Sequence, residues 1–301
     1  MNILITGATG LLGKSLIERR ECLHNIIGLY LGNYKMPQDK NLTYQVLDVR
    51  DKKKLSSVFN ALIPDITIHT AGISDVDFCE KNFKEGYESN VFGTKNIVEL
   101  CVDKKVKLVY ISSNAVFDGK NAPYREDDPT NPVNSYGKIK LECENIIRRS
   151  LDDYTIVRPI LMYGWNNIYE RNNLVTFLID KLNKRETVNM VYDVYENPLS
   201  SYSCADAVWS IIRNNINGIY HIAGRDVVNR YEYAMAIADV FDLNKNLIKP
   251  VNSSFFPSIA IRPKNTSYIT KKIEMELDFR PLGLKEGLTQ LKKIKNDGNG
   301  N

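Results

Sequence analysis

The sequence contains few residues of the types that form disulfide frameworks or metal sites. Five cysteines occur among the 301 residues, an odd number, and no two of them form a C-x-x-C pair. The three histidines, His24, His69 and His221, are scattered without the close spacing of zinc ligands. This pattern predicts a reducing compartment with free thiols, and we expect no metal site.

Long apolar runs and blocks of like charge are also missing. No apolar run approaches the roughly 18 residues that would span a bilayer. The first predicted strand starts at the initiator Met, so we expect no signal peptide. The net charge of +4 is mild, and the chain has no long basic run of the kind that binds nucleic acid. These absences favour a cytoplasmic globular protein with neither a membrane nor a nucleic-acid partner.

The first twenty residues, MNILITGATGLLGKSLIERR, contain the most informative pattern in the chain. An apolar run at residues 3–5 suits a buried parallel strand, and an amphipathic helical segment follows it. Between them, Gly7 permits a sharp turn, Gly10 permits close approach of a pyrophosphate, and Gly13 permits tight packing of helix on strand. This context predicts a dinucleotide site at a helix N-terminus, and the alternative is a tight turn without a ligand.

Strands and helices alternate through the first half of the chain. Further strands are predicted from apolar segments at residues 25–30, 43–47, 66–69, 107–111 and 155–157. The alternation predicts an α/β fold with a doubly wound parallel Rossmann sheet over residues 1–160.

From residue 161 this rhythm changes. Helices are predicted near residues 174–182, 206–212 and 231–241, strands near 188–192 and 218–222, and a loop at 196–201. We interpret residues 161–295 as mainly a smaller, interleaved α/β substrate-binding cap, some of whose segments return to the Rossmann domain. The polar residues 296–301 are predicted to form a disordered tail.

Ser113, Tyr136 and Lys140 have the residue types and spacing of a carbonyl-reduction site. Ser113 follows a predicted strand, and Tyr136 and Lys140 share one face of a predicted helix. Ketone reduction requires a hydride donor and a proton donor. We predict Tyr136 as the proton donor, with a pKa lowered by Lys140, and Ser113 as the residue that orients the carbonyl. The alternatives are a packed aromatic, a solvated lysine and a strand cap.

The ends of other predicted strands carry candidates for cofactor binding. Where NAD-preferring folds have an acidic residue after the second strand, this chain has Tyr30, and Lys35 nearby could pair with a 2′-phosphate. Asp48, after the third strand, can accept from the adenine amino group. Ala71 and Gly72, after the fourth, let a cofactor lie close to the backbone. We therefore expect NADPH to bind at least as well as NADH, unless Lys35 is simply a loop lysine.

Taken together, these residues resemble the extended short-chain dehydrogenase/reductases, and within them the dTDP-4-dehydrorhamnose reductase family. The resemblance covers nearly the whole chain, in the stretches MNILITGATGLLG, PDITIHTAGISDVDFCE, SSNAVFDG, NPVNSYGKIKLE, GIYHIAGRDVVNRYEYAMAIA and IRPKNTSYIT. It implies reduction of a nucleotide-linked 4-keto-6-deoxy sugar with NADP(H) or NAD(H), and it is compatible with a homodimer.

The resemblance also extends the set of site residues. It implies that the catalytic Ser, Tyr and Lys are Ser113, Tyr136 and Lys140. Candidates for cofactor binding are then Gly7, Thr9, Gly10, Leu11, Leu12, Gly13, Tyr30, Lys35, Asp48, Val49, Ala71, Gly72, Ser112, Tyr136 and Lys140. Candidates for substrate binding are Ser74, Asn114, Ala115, Leu161, Asn197 and Arg262.

Three positions depart from the family pattern. Asn114-Ala115 stands where Asp-Tyr is usual, Leu161 where Trp is usual, and Tyr30 where an acidic residue is often found. The particular sugar is therefore left open. Two other functions also remain open: a sugar-nucleotide epimerase, and a non-catalytic NADP-binding subunit like the beta subunit of methionine adenosyltransferase.

Overall fold

The computed structural model describes residues 1–21, 23–33, 36, 39–166, 171–257, 259–277 and 279–298. Its strands are β1 (Asn2–Thr6), β2 (Asn25–Tyr30), β3 (Leu42–Val46), β4 (Ile66–His69), β5 (Lys107–Ile111), β6 (Tyr154–Pro159), β7 (Met162–Tyr163), β8 (Val188–Val191), β9 (Tyr195–Glu196), β10 (Leu199–Ser200), β11 (Gly218–Ile222), β12 (Val228–Asn229) and β13 (Ile248–Val251). Its α-helices are α1 (Leu11–Glu18), α2 (Lys52–Leu62), α3 (Val76–Lys81), α4 (Phe83–Tyr87), α5 (Gly93–Lys104), α6 (Ser135–Ser150), α7 (Leu174–Asn183), α8 (Ser201–Arg213), α9 (Arg230–Val240), α10 (Lys271–Leu277) and α11 (Leu284–Gly298).

A seven-stranded parallel sheet forms the centre of the larger part. Its strand order is β11-β6-β5-β4-β1-β2-β3, which is the doubly wound Rossmann order with one added edge strand. Every residue of β4 and β5 is buried, as expected for strands covered by helices on both faces. The predicted α/β fold with a doubly wound parallel sheet is confirmed.

The cap is a smaller layer of short strand pairs and helices. Its pairs are β7 with β10 and β8 with β13, both parallel, and β9 with β12, which is antiparallel. Helices α7, α9 and α11 bury a separate apolar cluster that includes Leu178, Ile237 and Leu288. The cap therefore has its own core beside the sheet.

Three segments after residue 160 return to the sheet. Strand β11 pairs with β6, and α10 packs on β11. Helix α8 packs on α1, where Trp209 Nε1 donates to the Leu16 carbonyl at 3.0 Å and the Ser15 and Ser201 hydroxyls lie 2.8 Å apart. We propose the domain boundary near residue 160 on the basis of this division.

Two predictions about local structure are wrong. Residues 196–201 are not a loop, since they contain the end of β9, all of β10 and the start of α8. Residues 296–298 are helical rather than part of a disordered tail, because α11 continues to Gly298. A helix already anchored by packing gains one hydrogen bond for each residue it adds, so it can extend into a polar sequence. Within the described part of the chain, no helix has both the length and the apolar character required to cross a membrane.

Candidate active site

A cleft of about 650 Å³ lies between the carboxyl ends of the central strands and the cap. Both the glycine turn after β1 and the Ser113, Tyr136 and Lys140 set line it. Open α/β sheets bind ligands at this edge, because strand ends and helix N-termini converge there. The cleft is therefore the candidate active site.

The glycine turn is built for close approach between backbone segments. Gly7 has φ +68°, and a Cβ there would lie 2.5 Å from Thr70 Oγ1. A Cβ on Gly13 would lie 2.2 Å from the Gly7 carbonyl oxygen, so α1 packs directly on the turn. Gly10 is the N-cap of α1 and has no side-chain cap of its own. The N-terminus of α1 therefore faces the cleft with free amide groups, which suits a phosphate.

Helix α6 brings Tyr136 and Lys140 to the end of β5. The Asn134 side chain caps the helix by accepting from Gly137 N at 2.9 Å, and its Nδ2 donates to the Ile261 carbonyl at 2.9 Å. A Cβ on Gly137 would lie only 2.1 Å from the carbonyl oxygen of Ala115. This glycine lets the first turn of α6 lie against the turn after Ser113, which places Tyr136 within hydrogen-bond reach of Ser113.

Burial shifts the pKa values of Tyr136 and Lys140, the two titratable residues of this set, in opposite directions. It raises the pKa of Tyr136 above its usual range, and the hydrogen bond with Ser113 opposes that change only partly. It lowers the pKa of Lys140, whose Nζ donates to the Ile111 carbonyl at 2.8 Å and to the Tyr110 hydroxyl at 3.2 Å. The expectation that Lys140 lowers the pKa of Tyr136 is therefore not met in this structure, where desolvation is the larger effect. Tyr136 carries its proton at neutral pH.

A fully buried ion pair between Glu144 and Arg158 lies beneath Lys140. Glu144 lies one helical turn after Lys140 and accepts from Arg158 Nε at 2.9 Å and from Arg158 Nη2 at 2.7 Å. The Ser112 hydroxyl donates to Glu144 at 2.5 Å. The Ser112 side chain is therefore turned into the protein, so any contact of this residue with a cofactor would have to come from its backbone.

Asn90 is a site residue to which the sequence analysis assigned no role. It lies in a π-helical turn, Glu88–Phe92, and its side chain accepts from Ile73 N at 2.7 Å and donates to the Ile73 carbonyl at 3.0 Å. Gly72 has φ +154°, and a Cβ there would lie 2.5 Å from Asn90 Oδ1. Asn90 thereby holds the loop after β4 in the shape that lines the cleft. A π-helical turn is often found at functional sites, but its position is not evident from a single sequence.

The opposite wall of the cleft is polar. Asn114 Nδ2 donates to Thr266 Oγ1 at 2.7 Å, and Glu196 and Arg230 form an ion pair at 2.6 Å. Glu196 belongs to the 196–201 segment that we expected to line the substrate pocket, although no separate role was predicted for it. Arg230 was not predicted, because it meets Glu196 only through the pairing of β9 with β12.

Two ion pairs connect α3 and the loop before it with segments from beyond residue 160. Arg262 donates to both oxygens of Asp77, at 2.9 and 2.8 Å, and Arg171 pairs with Asp75 at 2.5 Å. Arg262 lines the cleft as predicted, but its planar fork is engaged by a carboxylate in this structure. A diphosphate would have to compete with Asp77 for it.

Most of the predicted residues meet at this cleft. Those that line it are Gly7, Gly10, Leu11, Leu12, Gly13, Ala71, Gly72, Ser74, Ser112, Ser113, Asn114, Ala115, Tyr136, Lys140, Leu161 and Arg262. The described cleft residues include four cationic side chains, Lys140, Arg171, Arg230 and Arg262, and one carboxylate, Glu196. Three of these cations are paired, Arg171 with Asp75, Arg230 with Glu196 and Arg262 with Asp77, so an anionic ligand would compete with carboxylates for them.

Asn197 was predicted to contact the substrate, but the structure places its side chain elsewhere. Its side chain is 2 % exposed, accepts from Tyr268 N at 3.1 Å and donates to the Tyr268 carbonyl at 3.2 Å. It therefore anchors the backbone behind the cleft, since both ends of its amide group are already occupied by that chain segment.

Four of the residues predicted to bind the cofactor do not line the cleft: Thr9, Tyr30, Asp48 and Val49. The Asp48 carboxylate accepts from the Arg50 side chain, with a shortest distance of 2.6 Å, which also lowers the pKa of Asp48. Tyr30 is buried with its ring edge-on to Tyr44. Lys35 lies outside the described residues. The roles of these residues at an adenosine end stay predictions.

The seven-stranded sheet, the glycine turn and the Ser-Tyr-Lys set together define the extended short-chain dehydrogenase/reductase class. Within that class, the chain belongs to the family described as RmlD substrate binding domain, whose sequence model matches residues 1–295.

Comparison with individual proteins agrees with this assignment. The chain is similar to the dTDP-4-dehydrorhamnose reductase of Bacillus anthracis str. Ames, solved in complex with NADP, with a TM-score of 0.86, 27% identity and coverage of 97% of this chain and 98% of that one. It is 29% identical over 299 residues to methionine adenosyltransferase 2 subunit beta of Bos taurus, covering 95% of this chain and 86% of the relative. It is 28% identical over 290 residues to the spore coat polysaccharide biosynthesis protein SpsK of Bacillus subtilis (strain 168), covering 96% and 95%.

Proposed function

We propose that the chain is an NAD(P)H-dependent reductase of a nucleotide-linked 4-keto-6-deoxy sugar. The observation that carries the proposal is the meeting of Ser113, Tyr136 and Lys140 with the glycine turn in one cleft. The similarity to a dTDP-4-dehydrorhamnose reductase in complex with NADP supports both the substrate class and the cofactor. The N-terminus of α1 is the candidate site for the cofactor diphosphate, and Arg262, which pairs with Asp77 in this structure, is the candidate for the substrate diphosphate.

The residues of the cleft fit a dinucleotide. Gly7 and Gly13 leave no room for a side chain at the turn, and the α1 N-terminus offers amide donors and a positive dipole end to a pyrophosphate. When bound, the reduced nicotinamide supplies a hydride. Lys140 extends from α6 at the end of β5, where its ammonium group can hold a ribose hydroxyl.

Tyr136 then acts as the proton donor to the alkoxide that forms at C4. Hydride addition turns a neutral carbonyl into a developing oxyanion, and a hydroxyl about 3 Å away can stabilise that charge and deliver a proton. The raised pKa of Tyr136 keeps the hydroxyl protonated, as reduction requires. Ser113, which lies close to Tyr136, orients the carbonyl oxygen between the two hydroxyls.

The test is Tyr136→Phe, which removes only the hydroxyl. We expect the rate of the chemical step to fall by about 10²–10⁴-fold, with cofactor affinity nearly unchanged. Single-turnover oxidation of NADPH with a 4-keto sugar nucleotide measures that step, and Tyr192→Phe, a half-exposed tyrosine of the cap, is the matched control. A near-normal single-turnover rate for Tyr136→Phe would contradict the assignment.

Cofactor preference is a separate part of the proposal. Strand β2 ends at Tyr30 rather than at a carboxylate, so this position has no negative charge that would repel a 2′-phosphate. We propose that NADPH binds at least as well as NADH and that Lys35 contributes. Dissociation constants for the two cofactors, with and without Lys35→Ala, test this; a preference for NADH that Lys35→Ala leaves unchanged would refute it.

A non-catalytic binding subunit is the second candidate. The similarity to methionine adenosyltransferase 2 subunit beta of Bos taurus favours it, because that relative is named as a subunit. Turnover of a panel of dTDP-, UDP-, GDP- and CDP-linked 4-keto sugars with NADPH separates the two functions. Conversion without net oxidation of the cofactor would instead indicate an epimerase.

The proposal also includes a biological role for the chain. The similarity to SpsK, named for spore coat polysaccharide biosynthesis, supports a role in supplying a sugar for a polysaccharide. Cytoplasmic location and homodimer formation stay predictions, which cell fractionation and light scattering of the purified protein would test.

A further inference from the structure

We propose that Glu196 and Arg230, which pack beside the buried Tyr233, form a subsite that recognises a hydroxyl group on the sugar ring next to the reacting carbonyl. This inference rests on the proposed function, because it concerns the sugar of the nucleotide-linked substrate. It assigns a recognition role to residues of the cap that lie across the cleft from the Ser-Tyr-Lys set.

The fold of the cap brings the three residues together. Glu196 ends β9, which pairs antiparallel with β12, and Arg230 begins α9 directly after β12. Tyr233 lies on the first turn of α9 and is buried. Glu196 and Arg230 both line the cleft, with side chains 12% and 29% exposed, so their charges are largely desolvated yet open to a ligand on one side.

The polar groups of this cluster are incompletely satisfied. Glu196 and Arg230 are joined at 2.6 Å, yet Arg230 Nε and the Tyr233 hydroxyl are buried without a hydrogen-bond partner in the part of the chain that the structure describes. Buried donors without partners are rare because they cost free energy. One of them, Arg230 Nε, belongs to a side chain that lines the cleft, where a ligand or a water can complete the hydrogen bonding of the cluster.

Asn114 connects the cluster to the reaction centre. Its Nδ2 lies 2.7 Å from Thr266 Oγ1 and 3.5 Å from Glu196 Oε1, and it directly follows Ser113. A sugar whose carbonyl oxygen is held by Ser113 can therefore place a neighbouring ring carbon near Glu196. The cluster can form hydrogen bonds with a substituent on that carbon.

The chemistry of the pair selects a hydroxyl. A carboxylate accepts and a guanidinium donates, and a hydroxyl is able to satisfy both at once, whereas a methyl or hydrogen substituent satisfies neither. A phosphate is disfavoured here, because the Glu196 carboxylate would repel it. The subsite thus recognises the sugar rather than the diphosphate.

The experiment compares the binding of dTDP-L-rhamnose with that of dTDP alone, by titration calorimetry in the presence of NADP⁺. Glu196→Gln keeps the size of the side chain and removes its charge. We expect it to weaken dTDP-L-rhamnose binding by about 10- to 100-fold, as for the loss of a hydrogen bond to a charged group, and to leave dTDP binding unchanged. Glu186→Gln, which removes an exposed carboxylate from the cap surface, is the matched control.

Three results would overturn the inference. Equal weakening of both ligands would place the contact at the nucleotide or the diphosphate. No effect on either ligand would make the ion pair purely structural. If the wild-type protein binds dTDP-L-rhamnose no more tightly than dTDP, it has no such subsite. Oxidation of NADPH is measured separately, so a protein that discriminates the sugar but does not reduce 4-keto substrates refutes the proposed function and leaves the subsite in place.

Discussion

Replacement of Gly137 by alanine tests whether helix packing positions the proposed catalytic residues Tyr136 and Ser113. Gly137 follows Tyr136 in the first turn of α6, and its added Cβ would lie 2.1 Å from the Ala115 carbonyl oxygen. Ordinary contact begins near 3.4 Å, so the helix and the turn after Ser113 must separate by about 1 Å. A displacement of that size at a reaction centre can cost about 10²-fold in rate.

The effect on stability has two opposing parts. Alanine is favoured over glycine in a helix by about 1 kcal/mol, whereas overpacking costs about 1–3 kcal/mol. We therefore expect a small net loss of stability, too small to unfold the protein, together with a large loss of turnover. The assay is single-turnover oxidation of NADPH, accompanied by unfolding in urea.

The control is Lys138→Ala, an exposed position on the next residue of the same helix. Like Gly137→Ala, this substitution raises helix propensity, but it adds no atom near Ala115. If Gly137→Ala keeps a wild-type rate, or if Lys138→Ala loses as much, close packing of α6 on this turn does not set the geometry of the site.

Three further predictions concern charge. Arg158→Met leaves the Glu144 carboxylate buried without its partner and should lower the free energy of unfolding by about 3–5 kcal/mol; urea denaturation measures it, and adding Glu144→Leu should recover much of the loss if burial of a lone charge is the cause. Arg262→Lys keeps the charge but cannot pair bidentately, so the Michaelis constant for the sugar nucleotide should rise; an unchanged constant would end its diphosphate role. Burial lowers the pKa of Lys140 and raises that of Tyr136, so a loss of activity at alkaline pH should come from Lys140; the pH profile of Lys140→Arg, which stays charged, should lack that loss, and an unmoved profile would assign it elsewhere.

Much of the cofactor side of the site was predictable from local pattern. The turn after β1 depends on Gly7 and Gly13, whose spacing is visible in the sequence and whose reason is steric, and Tyr136 and Lys140 share a helix face because they are four residues apart. The pKa of Tyr136 was not predictable in the same way, because its direction depends on how completely the folded protein excludes water from the ring.

The substrate side was predicted less well. Asn197 was expected to contact substrate, yet it anchors the backbone of Tyr268, and Arg262 meets Asp77 across the cleft. Each of these contacts joins residues far apart in the chain, and a single sequence contains no signal for such a pairing.

The sequence by itself determined the alternation of strands and helices and the tight glycine turn after β1, because each is a short-range pattern. It also brought out Ser113, Tyr136 and Lys140 as a set, whose catalytic roles stay predictions. Only the tertiary structure decided that Glu196 meets Arg230, that Glu144 meets Arg158 beneath Lys140, and that burial raises the pKa of Tyr136. The physical reason is that pairing partners and desolvation are set by the packing of the cap and α6 against the sheet, which no local spacing encodes.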